Sequence, residues 1–204
     1  MIYDLTILGL RPNTLGAVLP KLPDAVPNSV KTGKLLGCFT CEFGVLNRIA
    51  ILSAYADSES LAEDRAAIAA SGNPYGINEC LGVYDRCAYV PLPFMQGDIE
   101  PGAHGPFYEM RTYGVGPGGL QATNDGWAKA VPARAKLSPL LMVMTSIEPG
   151  AMRMLHIWPY KSLDERAKAR ATASAEKLWP PAGGEHLTSL QSELFVATKF
   201  SPLA

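Results

Sequence analysis

The chain is poor in charge and in reactive side chains. Asp, Glu, Lys and Arg make up only 18% of its 204 residues, and the formal net charge is −1. Such a balance gives no basic surface for nucleic acid and no attraction to an anionic membrane. There are three histidines and four cysteines, and no P-loop, nucleophile elbow, H-E-x-x-H or EF-hand pattern. No apolar run approaches the roughly 20 residues that span a bilayer. The opening MIYDLTILGL has neither the basic region and small-residue cleavage site of a signal peptide nor the Arg/Ser bias of a transit peptide. The expectation is a soluble cytoplasmic protein.

Cys38 and Cys41 form a C-x-x-C inside LLGCFTCEF, which reads as a strand. Three residues apart on a strand means opposite faces, so these are expected as core thiols. Cys80 and Cys87 are too far apart for a second zinc knuckle. The residues imply neither a metal nor a cofactor.

What the chain does have is apolar content, 48% of residues, enough for a packed core. Its charge is uneven: residues 1–104 carry net −4 and residues 105–204 net +3. It also has an internal repeat. IYDLTILGLRPNTL at 2–15 aligns with FYEMRTYGVGPGGL at 107–120. Tyr3 matches Tyr108, Asp4 matches Glu109, Gly9 matches Gly114, Pro12 matches Pro117 and Leu15 matches Leu120. The same register carries on to Pro27 with Pro132, Arg48 with Arg153 and Tyr55 with Tyr160. An ungapped echo of this length indicates duplication of a unit of about 100 residues.

The repeat disposes of one motif. Gly114, Gly116 and Gly119 spell G-x-G-x-x-G between an expected strand and helix, where a dinucleotide loop would lie. The first copy, GLRPNT, makes the same turn without the later glycines. The preceding strand carries Glu109 and Arg111 instead of a continuous apolar run, and no acidic residue follows at the ribose-binding distance. The glycines are read as a strand-to-helix turn.

Alternation and turn signals give each unit the order β-α-β-β-α-β. In the second copy these are a strand over 107–113, a helix through Leu120, Trp127 and Val131 that Pro132 breaks or kinks, strands over 140–147 and 152–160, a helix over 163–178, and a strand within 186–200. The first copy gives 2–9, 14–31, 35–42, 47–55, 59–71 and 81–91. The expected fold class is α+β, two tandem ferredoxin-like units: 1–95, a Gly-rich linker at 96–105, and 106–204. Each sheet has helices on one face only and must bury the other. Two such units stack into a dimeric α+β barrel-type architecture.

The residues resemble the NIPSNAP family. Tyr108, Glu109, Arg111, Thr112, Tyr113, Pro117 and Gly118 match its first-strand and Pro-Gly pattern. Trp158, Tyr160, Ser162, Leu163 and Arg166 match its W-x-Y-x-S-L-x-x-R stretch. The first copy departs from it, with Thr6 at the arginine position and Ser53 at the tryptophan position. The resemblance implies a dimeric α+β barrel, a fold shared with cofactor-free monooxygenases, haem-handling enzymes and plain ligand binders. It implies no agreed activity.

Strand parity gathers the candidate site. Glu109, Arg111 and Tyr113 share one face of their strand, and His156, Trp158 and Tyr160 share one face of theirs. A buried strand face with these side chains is unusual for a core under helices, so they are expected to face the barrel interior. Asp4, Thr6, Leu8, Ile49, Ile51, Ser53 and Tyr55 of the first copy would supply an apolar wall opposite. The leading expectation is a protein that binds a small, partly apolar ligand in a barrel pocket and forms a homo-oligomer. One alternative is a cofactor-free monooxygenase or isomerase, with His156 as general base and Arg111 or Tyr113 steadying an anion. Another is a haem-binding enzyme with His156 as axial ligand. His104 and His186 have no convincing partner.

Overall fold

The repeat seen in the sequence returns as a repeat of elements. In a computed structural model describing residues 1–148, 150 and 152–204, the first unit holds β1 (Ile2–Leu10), α1 (Leu15–Val18), α2 (Leu22–Asn28), β2 (Lys34–Phe43), β3 (Arg48–Tyr55), α3 (Ser58–Ala70) and β4 (Leu81–Pro91). The second holds β5 (Phe107–Val115), α4 (Leu120–Arg134), β6 (Met142–Ser146), β7 (Arg153–Tyr160), α5 (Leu163–Ala175) and β8 (Leu187–Ala197). β1 and β5, β3 and β7, and α3 and α5 begin at the same spacing as the sequence echo, 105 residues.

The prolines decide the helices. Where one helix is expected over 14–31, the chain makes α1, a 3-10 turn at Leu19–Lys21 and α2. Pro20 and Pro23 each sit at the start of a new segment, where a missing N–H costs least. In the second unit α4 runs unbroken to Arg134, with Pro132 confined to its last turn. The start of α5 is held by a reciprocal cap. Ser162 Oγ accepts from the Glu165 amide at 3.0 Å, and Glu165 Oε2 accepts from the Lys161 amide at 2.8 Å.

All eight strands close into one barrel in the order β1-β3-β2-β8-β5-β7-β6-β4. Two antiparallel seams join the units. Phe39 pairs with Ala197 and Cys41 with Phe195 between β2 and β8. Tyr89 pairs with Ser146 and Pro91 with Met144 between β4 and β6. The barrel therefore closes within a single chain.

The interior corrects one expectation. Tyr3, Leu5, Phe39 and Leu52 of the first unit pack against Tyr108, Met110, Leu155, Ile157 and Phe195 of the second. Glu109, Arg111, Tyr113, His156, Trp158 and Tyr160 do share a face, but it is the outer face, under α4 and α5. Leu8, Ile49, Ile51 and Tyr55 likewise lie beneath the first unit's own helices, so the two sets never face each other. Parity identifies which residues share a side and leaves open which side is inward. Hydrophobic burial settles that: the Tyr108–Met110 face meets an equally apolar face, each large side chain contributing about 1.5–3 kcal/mol. The polar face finds arginines on the helices instead.

Two segments outside the strands complete the core. Ile99, expected as the one large apolar residue of the connecting stretch, is 2% exposed and packs into the barrel. Tyr108 Oη donates to the Leu203 carbonyl, and Leu203 is fully buried there. The Gly-rich turn packs tightly on the segment before β8: the Gly116 amide donates to the His186 carbonyl at 2.8 Å, and a Cβ at Gly119 would lie 2.6 Å from His186 Cβ. Cys38 and Cys41 point into different clusters, as the strand reading requires, and all four cysteines are free. Among the described residues no helix is long and apolar enough to cross a membrane.

Candidate functional site

The β5–β7 register builds the site. Glu109 lies opposite Trp158, and Arg111 opposite His156. All six predicted residues come together in one continuous cluster on the outer face of the second sheet.

Glu109 is its electrostatic centre, 1% exposed. Arg166 of α5 grips both of its oxygens, at 2.7 and 3.1 Å. Arg111 donates to it at 2.8 Å and Ser192 of β8 at 2.8 Å, while Arg170 stands 3.9 Å away. Burial alone would raise this carboxyl's pKa, but the bonds from Arg166 and Ser192 and the arginine charges outweigh it and hold the pKa at about 2. Glu109 is thus a fixed anion. Arg111 Nε also donates to Tyr113 Oη at 2.6 Å.

His156 is 1% exposed and neutral: burial, then the Arg111 charge, push its pKa well below the ordinary histidine range. Trp158 Nε1 donates to His156 Nδ1 at 2.7 Å. An indole N–H can only donate, so Nδ1 is the acceptor and Nε2 carries the proton. That Nε2 proton has no partner among the described residues. The ring sits in an aromatic cage, 4.6 Å from Trp127 and 4.7 Å from Tyr113 between centroids. His156 borders a void of about 10 Å³, room for a single water.

Next to this cluster a cavity of about 430 Å³ opens between the sheet, α4, α5 and the segment before β8. Arg111, Tyr113, Trp127, Arg134, Arg170 and Trp179 form its polar and aromatic wall. No Asp or Glu lines it among the described residues. The repeat explains why there is space. In the first unit the matching place holds Ile68, Tyr75 and Ile77, all buried in one apolar cluster. At the equivalent positions the second unit has Ala173 and, past one extra residue in the loop after α5, Pro181 and Gly183, all on the cavity wall. Ile77 and Gly183 occupy the same place, the residue before a 3-10 turn that leads into β4 or β8.

Sequence reasoning missed several members of this site. Arg166 was visible in the family-like stretch, and Arg170 follows it at i+4 on the same face of α5. Arg134 follows Trp127 by two helical turns. Trp179 lies in a segment with no periodic signal, and Ser192 lies within the expected last strand; the fold brings both to the cluster. Of the other histidines, His104 meets the Glu100 carbonyl at 3.1 Å and His186 lies 3.7 Å from Glu185. Neither touches the cluster.

Comparison with known proteins agrees with this architecture. Solved structures similar over nearly the whole chain include a monooxygenase candidate from Lactobacillus acidophilus, with TM-score 0.65, 11% identity and coverage of 96% of this chain and 93% of that one. An anthrone oxidase-like protein gives TM-score 0.66 at 12% identity, covering 97% and 91%. At such identity the likeness concerns the fold. Among curated proteins, NipSnap homolog 3A of Homo sapiens is 33% identical over 101 residues, 47% of this chain and 41% of the human protein. A NipSnap homolog of Dictyostelium discoideum is 26% identical over 110 residues, 52% of this chain and 49% of that one. The chain thus spans less than half the length of the curated relatives it matches. The NIPSNAP family profile matches residues 3–74 and again 108–202, taking in both halves of the repeat, and the chain belongs to the NIPSNAP family.

Proposed function

We propose that this protein binds a small, partly apolar ligand in the second unit, between the outer face of the sheet and its helices. One observation carries the reading. Where the first unit has a solid core of Ile68, Tyr75 and Ile77, the second has Ala173, Pro181 and Gly183 around about 430 Å³ of open space. Small-molecule sites are concave, largely apolar and equipped with a few polar groups. Two of the chain's three tryptophans, Trp127 and Trp179, line the cavity, and Trp158 packs 5.7 Å from Trp179. Intrinsic fluorescence is therefore a reporter of occupancy. The neutral dye N-phenyl-1-naphthylamine should bind with one-to-one saturation and quench the tryptophans, and Ala173→Ile should abolish both effects. Absence of saturable binding, or binding indifferent to Ala173→Ile, overturns the reading.

The fold neighbours' names motivate a second reading, a cofactor-free monooxygenase or isomerase. With Nδ1 engaged by Trp158 and the proton on Nε2, His156 has no free lone pair to accept a proton. The geometry supports a hydrogen-bond donor to an oxyanion more than a general base. Loss of turnover in His156→Ala with the fold retained, on any substrate found, would favour this reading. An axial role towards haem finds less support, since the void beside His156 holds about 10 Å³. Self-association is a proposal of the same kind. The barrel needs no second copy to close, so it would rest on exposed apolar side chains such as Phe43, Val45 and Leu46; sedimentation velocity reads it directly. A cytoplasmic location is proposed alongside and is checked by cell fractionation.

A further inference from the structure

Arg134 is a buried charge. It is 3% exposed, yet among the described residues it has no carboxylate partner. Its neighbours are neutral: Ser138 Oγ at 2.8 Å, Tyr160 Oη at 3.4 Å, and the face of Trp158 at 4.5 Å. A guanidinium cannot shed its proton to relieve burial, and a buried charge without a counter-charge is costly. The stacking on Trp158 offsets only part of that.

The rest of the cavity increases the excess. Arg111 and Arg170 share its wall with Arg134, and among the described residues no Asp or Glu lines it. Glu109 lies behind, already engaged by Arg111, Arg166 and Ser192. The first unit has no such surplus. Ser29 stands at the place of Arg134 and bonds back to the Ala25 carbonyl of its own helix, and Thr6 stands at the place of Arg111. There Arg65 is matched by Asp4 at 2.6 Å and Glu148 at 2.7 Å. The unit that gained a cavity also gained three arginines on its wall: Arg111 and Arg170 share the single carboxylate of Glu109, and Arg134 has none among the described residues.

We propose that the ligand is an anion: a flat apolar body carrying a carboxylate or similar oxyanion, which Arg134 binds with Arg111 and Arg170 while Trp127 and Trp179 hold the flat part. This rests on the cavity reading above and adds the charge. A guanidinium presents paired donors that match two oxygens of one group, and the aromatic walls match a planar body.

Two dyes with one apolar skeleton separate the claims. N-phenyl-1-naphthylamine is neutral; 8-anilinonaphthalene-1-sulfonate is the same body with a sulfonate. The wild type should bind the sulfonate roughly ten- to a hundredfold more tightly, the range of a charge-assisted hydrogen bond. A large part of that preference should survive 0.3 M NaCl, because the cation is buried. Arg134→Gln should remove most of the preference while leaving the neutral dye bound. Because Arg134→Gln is a core change, Arg170→Gln serves as a second variant: its side chain is 41% exposed, and it should lower sulfonate affinity without affecting the fold. Equal affinity of the two dyes in the wild type, or an unchanged preference in both variants, overturns the anion claim while the cavity stands. If neither dye binds, the cavity reading fails and takes this inference with it.

Discussion

The indole nitrogen of Trp158 donates to Nδ1 of His156 across 2.7 Å, from two residues along the same strand face. This contact fixes the tautomer of a fully buried imidazole and directs its one remaining proton to Nε2. Nitrogen NMR of the histidines should show a single Nε2–H form at this residue. Trp158→Phe should mix the tautomers and, by leaving Nδ1 unpaired, destabilise the fold by about 1–3 kcal/mol, as read by chemical denaturation.

The same ring sets a pH dependence. His156 is held neutral when folded, its pKa well below 6.5, by burial and then by Arg111. The unfolded chain therefore binds an extra proton below its own histidine pKa. Stability contributed by this group is fully present above about pH 6.5 and falls as the pH drops, by up to about 1.4 kcal/mol per pH unit. His156→Phe should flatten the denaturation profile between pH 7 and pH 5. A profile unchanged by the substitution would mean the ring charges in the folded state.

Glu109 acts on the more acid side. Its folded pKa is about 2, below the 4.5 of an ordinary glutamate. Its stabilising contribution is present above about pH 4.5 and is lost as the pH falls towards 2. Glu109→Gln leaves Arg166, Arg111 and Arg170 without their shared counter-ion. The expected cost at neutral pH is about 3–5 kcal/mol, with a weakened acid limb. Urea titrations across pH 2–7 test both parts.

The cavity should be exchangeable between the two units. Ala173→Ile supplies the bulk that Ile68 supplies in the first unit, so it should fill the space with little loss of stability. Ile68→Ala, at a site 9% exposed in a filled core, should cost about 2–5 kcal/mol. Thermal unfolding should fall markedly only in Ile68→Ala, and dye binding should be lost only in Ala173→Ile.

The seams predict how the halves behave apart. Residues 106–204 alone would expose Tyr108, Met110, Leu155 and Ile157, together with the unpaired edges of β6 and β8. Expressed by itself, this half should self-associate through that face, and mixing with residues 1–105 should restore a one-to-one complex. Both are visible by size-exclusion chromatography with light scattering. A stable monomeric half would contradict the burial argument.

The sequence by itself determined the duplication, the order of elements in each unit and the common strand face of Glu109, Arg111, Tyr113, His156, Trp158 and Tyr160. These follow from local matters: a fixed register, alternation along a strand, and prolines that cannot donate. Tertiary structure alone decided which face of the sheet turned inward, because that depends on the partner sheet being apolar where Tyr3 and Leu5 meet Tyr108 and Met110. It also decided the cavity. Ala173, Pro181 and Gly183 are unremarkable in a string of letters, and Arg134 reads as an ordinary helix-end charge. Only when the helices are laid on the sheet do three small residues become an opening, and one arginine a buried charge with no counter-ion among the described residues.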